Sequence, residues 1–137
     1  RIQIDRVPVL GICLGMHILC KSSDEGDEIG LGLINAQVKR FNTDNKVRLR
    51  IPHMGWNTVD AVRDNAIIPF GTKEENRYYF VHSYRVVPNN TDVTIGKSYY
   101  GGEFCAAFQQ KNIFGVQFHP EKSHRFGMLL FERFLSI

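Results

Sequence analysis

The stretch "GICLGMHILC", residues 11–20, holds two cysteines with a histidine between them, and glycines at Gly11 and Gly15 flank the first cysteine. Two chemistries fit these residue types. On an unbroken helix Cys13, His17 and Cys20 fall at i, i+4 and i+7 and share a face. With a fourth ligand such as His53 they could bind Zn²⁺ tetrahedrally. If instead the apolar run "VPVLGIC" is a strand that turns sharply into a helix, Cys13 stands at an elbow at the sheet's carboxyl edge. Small flanking residues permit such a turn, and Gly11 and Gly15 supply the room. The N–H of Leu14 then points into the same space and can donate to an oxyanion. The following helix N-terminus is expected to favour a thiolate and lower its pKa. The elbow takes Cys13 off the helix, and "ILC" reads as a packing face in which Cys20 is a small apolar residue. No metal or cofactor is therefore expected. Taken alone, the elbow does not separate a nucleophile from a buried structural cysteine.

A thiolate nucleophile needs a proton shuttle. The five histidines are His17, His53, His82, His119 and His124. His119 follows the apolar run "IFGVQF" directly, at a strand's carboxyl end, where open α/β sheets place their sites. Pro120 fixes the turn. Glu121, two residues on, can accept from one imidazole nitrogen and fix its tautomer while the other faces Cys13.

These residues need a scaffold. "VPVLGIC" reads as a central strand that requires parallel neighbours, and "LGMHILCKS" follows with helical spacing. "SSDEGDEIGLG" reads as a loop; its acidic run matches no calcium-loop spacing and reads as solvated. "LINAQVKRF" alternates as a strand, and "KVRLRIPHMGWNTVDAV" reads as one or two strands broken at Pro52 and Gly55. "DNAIIPFGTKEEN" is irregular, with room for a helical turn. "RYYFVHSYRVVP", "VTIGKSYY", "EFCAAFQQ" and "IFGVQFH" are strand-like and punctuated by turn signals; Cys105 in "EFCAAF" reads as strand core. "SHRFGMLLFERFLSI" is helical, with Ser123 as N-cap and Phe126, Leu130, Phe134 and Ile137 on one face. The fold class is α/β: a mixed, mostly parallel sheet flanked by helices, in one domain over residues 1–137.

Composition agrees. The hydrophobic fraction is 43% and the charged fraction 23%, values of a globular domain. No apolar run is long enough to span a bilayer. The excess of Lys and Arg over acids is three, with no basic stripe interleaved with aromatics, so neither a membrane nor a nucleic-acid partner is expected. Three cysteines are sparse and odd in number, which fits a reduced, cytoplasmic setting.

With these residues in hand, the chain resembles the class I (triad) glutamine amidotransferases, whose fold is flavodoxin-like. "GICLGM" is similar to that family's nucleophile elbow and "FGVQFHPEKS" to its His–Glu segment. "GLGLINAQVKRF", "IPHMGWN" and "YYFVHSYRV" further resemble the glutaminase subunits of imidazole glycerol phosphate synthases. The resemblance implies that Cys13 attacks the side-chain amide of glutamine, with Leu14 N–H as one oxyanion donor. It implies that His119, oriented by Glu121, moves the protons, and that Gly15, His17, Ser83 and Tyr84 hold the substrate. Trp56, Asn57 and Lys122 would face a partner synthase, a (β/α)₈ barrel that receives the ammonia in histidine biosynthesis.

Three departures qualify it. The family usually has glutamine where this chain has His17, which implies weaker or pH-sensitive glutamine affinity. The family's amino-terminal segment, with the first strands and a second oxyanion donor, has no counterpart in these residues. The 137 residues are thus expected to be a carboxyl-terminal portion, poorly stable and weakly active alone. "KSHRFGMLL" resembles a paralogous branch that supplies ammonia for amidino sugars of surface polysaccharides. A non-catalytic binding or regulatory module on the same fold is the alternative of another class.

Overall fold

The computed structural model describes residues 2–42 and 48–137. The start of the predicted strand at Lys46 and Val47 lies outside the described residues. The chain enters through β1 (Val9–Ile12), turns at Cys13 into the short helix α1 (Leu14–Ile18), and continues through β2 (Ser22–Ser23), β3 (Glu28–Ile29) and β4 (Ala36–Arg40). Next come β5 (His53–Thr58), β6 (Asp60–Ala61), β7 (Arg77–His82), β8 (Tyr84–Pro88), β9 (Thr94–Tyr99), β10 (Glu103–Gln110) and β11 (Ile113–Val116). Helix α2 (His124–Leu135) closes the chain. The loop predicted around the acidic run contains the β2–β3 hairpin, and "RYYFVHSYRVVP" splits into two strands at Ser83.

The main sheet runs β1-β11-β10-β8-β4-β2-β3, with β9 on β10 and β6 on β9; β5 and β7 form a separate pair. It is mixed, as expected, but its parallel share is smaller than the sequence reading. Only β1 with β11 and β2 with β4 run parallel among the described residues. The reason lies in the connections. Parallel neighbours need a long crossover, whereas the middle of this chain is joined by short turns such as residues 111–112 and 100–102, which leave antiparallel pairs. Likewise β1, read as a central strand, has β11 as its one partner among the described residues.

The alternation of each strand sorts side chains into two apolar layers. On β4, Ala36 and Val38 are buried while Gln37, Lys39 and Arg40 are exposed. One layer gathers Tyr78, Phe80, Phe104, Phe114, Phe118 and Leu130. The other gathers Met16, Cys20, Val86, Cys105 and Phe108. Cys20 and Cys105 are thus core, and burial pushes their thiols up to about 12 and about 11.

Helix α2 lays Leu130, Phe126 and Phe134 against the first layer, but Ile137 lies beyond the helix and is mostly exposed. Gly127 takes a position that no larger residue could. A Cβ there would stand 1.7 Å from the Pro120 carbonyl oxygen. The helix can therefore press directly onto the turn that carries His119.

Candidate active site

The parallel β1–β11 pair positions the two central residues. Ile12 is in register with Val116, and Cys13 N–H donates to Val116 O at 2.8 Å. Cys13 and the "HPE" turn therefore leave the same edge of the sheet. Cys13 adopts φ 51°, the left-handed region that L-residues avoid, and caps α1. Gly11 makes the elbow possible: a Cβ there would stand 2.6 Å from the Gly15 carbonyl oxygen. Gly15 itself faces open space, so its lack of a side chain is not what admits the turn. Cys13, His17 and Cys20 do not share a helix face. The helix spans only Leu14–Ile18, Cys13 precedes it, and the Cys20 thiol donates back to Met16 O.

His119 is held from three sides. Its N–H donates to Tyr79 O at 2.9 Å, its carbonyl accepts from Ser123 Oγ at 2.6 Å, and its Nδ1 pairs with Glu121 Oε1 at 2.5 Å. A carboxylate only accepts, so Nδ1 carries the hydrogen and Nε2 is left for chemistry. Ser123 sits at the predicted N-cap, but its hydroxyl serves His119 and accepts from Tyr79 N–H.

Cys13 departs from expectation in one respect. Burial, the largest influence, raises its thiol pKa, aided by the charges of Glu121 and Glu25; the Leu14 N–H and the Gln117 amide oppose it. The helix behind it has five residues, too few for a developed dipole, so desolvation wins over the expected lowering. Cys13 Sγ meets Val81 O and Gln117 Nε2, each at 3.9 Å, and shares no hydrogen bond with His119.

A cavity of about 340 Å³ opens on Cys13, within the ~300–1,000 Å³ span of small-molecule sites. Leu14, His17, Ser83 and Tyr84 line it with Cys13, as the sequence reading grouped them, together with Glu25, Pro52, Val81 and His82. Gly15, His119 and Glu121 are not on its wall. His17 is buried and bonds Gln117 Oε1 from Nε2 at 2.8 Å, while its Nδ1 has no hydrogen-bond partner and lies 4.0 Å from Glu25 Oε2. Glu25, read from sequence as part of a solvated loop, is thus a wall of the cavity. Gln117 is a second residue the sequence reading missed; its place two residues before His119 on the same strand run was the available signal.

Of the three residues expected to face a partner, Trp56 and Lys122 lie beside His119, whereas the Asn57 side chain is engaged by His53, Thr58 N–H and Tyr99 O. Trp56 pairs with Tyr79 across β5 and β7, and Tyr79 bridges to His119. Trp56 is 41% exposed and stacks on His124 at 5.7 Å. Lys122 is exposed in the turn after His119.

The elbow, the His–Glu turn and the mixed sheet belong together. The glutamine amidotransferase class-I family model matches residues 1–137, and the chain belongs to that family. It is 48% identical over 137 residues to imidazole glycerol phosphate synthase subunit HisH 2 of Methanococcus maripaludis, covering 96% of this chain and 64% of that protein. It is 44% identical to the subunit HisH 2 of Pseudomonas aeruginosa, covering 100% and 66%. The chain thus spans about two thirds of the length of these relatives. A crystal structure of a glutamine amidotransferase from Thermotoga maritima matches with a TM-score of 0.64 at 21% identity, covering 98% of this chain and 50% of that one. That likeness bears on the fold.

Proposed function

We propose that this chain is the glutaminase portion of an ammonia-supplying synthase. It hydrolyses glutamine to glutamate and ammonia through a thioester on Cys13 and feeds a (β/α)₈-barrel partner that makes imidazole glycerol phosphate in histidine biosynthesis. The observation that carries the reading is that Cys13 and the His119–Glu121 pair leave one sheet edge on adjacent parallel strands. The relatives named HisH support the pathway, and no described helix is long and apolar enough to cross a membrane. We place the working protein in the cytoplasm as a heterodimer.

In the reaction, His119 Nε2 takes the Cys13 proton as sulfur bonds the glutamine side-chain carbon. The oxygen gains the charge and Leu14 N–H donates to it. The C–N bond breaks and the nitrogen leaves as ammonia with the proton from His119. Water then gives a proton to His119 and attacks the thioester, which releases glutamate and restores the thiol. Glu121 holds the imidazole tautomer throughout. Gly15, His17, Ser83 and Tyr84 hold the glutamine, and Glu25 on the cavity wall suits its α-ammonium group. Trp56, Asn57 and Lys122 face the partner.

A diazo-ketone analogue of glutamine tests the reading. With the full-length chain and its partner present, mass spectrometry should find one adduct, on Cys13, blocked by excess glutamine. Absence of that adduct would defeat the proposal and favour a non-catalytic module on the same fold.

A further inference from the structure

Four polar groups form a continuous chain between β5 and the wall of the cavity. Asn57 Nδ2 lies 3.3 Å from His53 Nε2, His53 Nδ1 lies 2.9 Å from His82 Nε2, and His82 Nδ1 lies 2.8 Å from Tyr84 O. The direction of every bond follows from the two ends. Tyr84 O is a carbonyl and only accepts, so His82 carries its hydrogen on Nδ1 and its Nε2 accepts. His53 must then donate from Nδ1, which leaves its Nε2 to accept from Asn57. The other end fixes the same sense. Thr58 N–H donates to Asn57 Oδ1 at 2.8 Å, so the Asn57 amide turns its Nδ2 towards His53, with the remaining hydrogen on Tyr99 O at 2.9 Å. Two backbone groups at opposite ends dictate one arrangement.

The two imidazoles of the chain are also closed off from solvent. His53 and His82 are 3% and 6% exposed. His53 is sandwiched between Tyr100 and Phe80 at 4.1 and 4.7 Å, and Phe104 meets both imidazoles edge-on or tilted. A further proton on either ring would place two donors face to face. Burial lowers both rings well below the ordinary histidine value, which agrees with a neutral chain. Such a chain of buried bonds, fully satisfied, specifies one arrangement of the groups it joins.

We infer that Asn57, His53 and His82 are positioning residues that tie the partly exposed β5 strand to the Ser83–Tyr84 wall of the cavity at Cys13. β5 carries Trp56, on the face placed towards the partner, and His82 and Tyr84 themselves line the cavity. A change in the Asn57 amide at the surface thus alters the donor that holds Tyr84 O, three hydrogen bonds away. The part of the inference that concerns glutamine rests on the function proposed above.

Long-range ¹H–¹⁵N imidazole spectra of the ¹⁵N-labelled full-length chain test it directly. Both His53 and His82 should be neutral at pH 7 with the hydrogen on Nδ1. An Nε2–H tautomer at either ring overturns the inference, and this readout needs no variant. Asn57→Asp keeps the shape and removes the donor. It should shift the His82 ring nitrogens, although His82 does not touch residue 57, and raise the KM for glutamine about fivefold, the weight of one neutral hydrogen bond, with a smaller change in kcat. Unmoved His82 resonances in that variant also overturn it. Labelling of wild-type Cys13 by the diazo-ketone separates the two ideas. Missing adduct with the stated tautomers sinks the glutaminase reading, whereas a normal adduct with the other tautomer sinks the relay.

Discussion

His17 and Gln117 are joined by a 2.8 Å hydrogen bond from the histidine Nε2 to the amide oxygen, and this bond sets what Cys13 sees. With its oxygen engaged, Gln117 turns its Nε2 towards Cys13 Sγ, where an N–H favours the thiolate over the thiol. His17 is therefore occupied on one nitrogen, and only Nδ1, without a hydrogen bond and facing Glu25, is left for a ligand.

His17→Gln tests what the histidine does for the substrate. A glutamine side chain has both a donor and an acceptor to share between Gln117 and the ligand. Its KM for glutamine should fall several-fold, about the value of one hydrogen bond. Steady-state assays of the full-length chain with its partner decide; an unchanged KM counts against a role in binding. The expected pH sensitivity is narrowed by burial, which lowers the His17 pKa from its ordinary 6.5. The ring is neutral above that value, so His17→Gln should leave the shape of KM against pH unchanged between pH 6.5 and 8.

Glu121→Gln keeps the size of the side chain but replaces the carboxylate that fixes His119 Nδ1–H. An amide can offer its NH₂ to that nitrogen and allow the other tautomer. Glu121 is half exposed, so water partly substitutes. The orienting carboxylate of a buried triad weighs about 10⁴-fold in kcat; with Glu121 half exposed the expected loss is roughly 10²- to 10³-fold, with little change in KM. A kcat within twofold of wild type would remove Glu121 from the mechanism.

Much of this was legible in the sequence, for identifiable reasons. Cys13 between Gly11 and Gly15 after an apolar run, and His119 at the end of another, each signal a strand's carboxyl end, and parallel pairing of those runs brings them to one edge. Helix α2 carried its apolar face plainly enough to place Leu130. What was not legible depends on contacts between distant segments. Glu25 sits in an acidic loop, and only the packing of α1 against the β2–β3 hairpin brings it to His17. Gln117 looks like any polar residue in a strand until the fold places it between Cys13 and His17. The raised Cys13 pKa is not readable locally, because the sequence shows the helix start but not the desolvation that outweighs it. The mixed character of the sheet is legible from the one βα elbow and the strand-rich middle, but the balance of parallel to antiparallel pairs is set by how the hairpins that follow the elbow stack, which local sequence does not show.

Glu25→Gln addresses the residue that sequence did not single out. A carboxylate on the cavity wall should hold the α-ammonium of glutamine by a charge-assisted hydrogen bond. Removing its charge should raise the KM about 10- to 100-fold, in line with the ~1.5–3 kcal/mol of such bonds, while kcat stays within a few-fold. The control is glutaramate, glutamine without its α-amino group. Its turnover should be insensitive to the substitution, and an equal loss on both substrates would mean that Glu25 acts elsewhere.

Gly127→Ala separates the packing of α2 from the chemistry of His119. The added methyl would collide with Pro120 O, so the helix and the His119 turn must part. Overpacking of this kind costs about 1–3 kcal/mol. The thermal midpoint should fall by several degrees and kcat should fall with it, because the turn carries the imidazole. Calorimetry and assays on one preparation check both; a normal kcat with a lowered midpoint would show that the turn holds without the helix.

The buried histidine pair predicts how stability responds to acid. In the unfolded chain each ring titrates near the ordinary value of 6.5; in the folded chain burial brings His53 to about 4 and His82 to about 3. Both folded values are depressed, so the unfolded state binds more protons as the pH falls below 6.5. The stability that the neutral pair contributes is fully present above pH 6.5 and is lost progressively as the pH falls towards 4 and then 3. Between pH 6.5 and 5, where most carboxylates remain ionised, the two rings together should cost about 2–3 kcal/mol of unfolding free energy. Urea titrations of the full-length chain at those two pH values measure it. His53→Gln with His82→Gln should lower the stability at pH 7 yet flatten its dependence on pH, since neither replacement takes up a proton in the unfolded state. A wild-type free energy that stays constant across this range would mean that the rings take up protons in the folded protein as readily as in the unfolded chain.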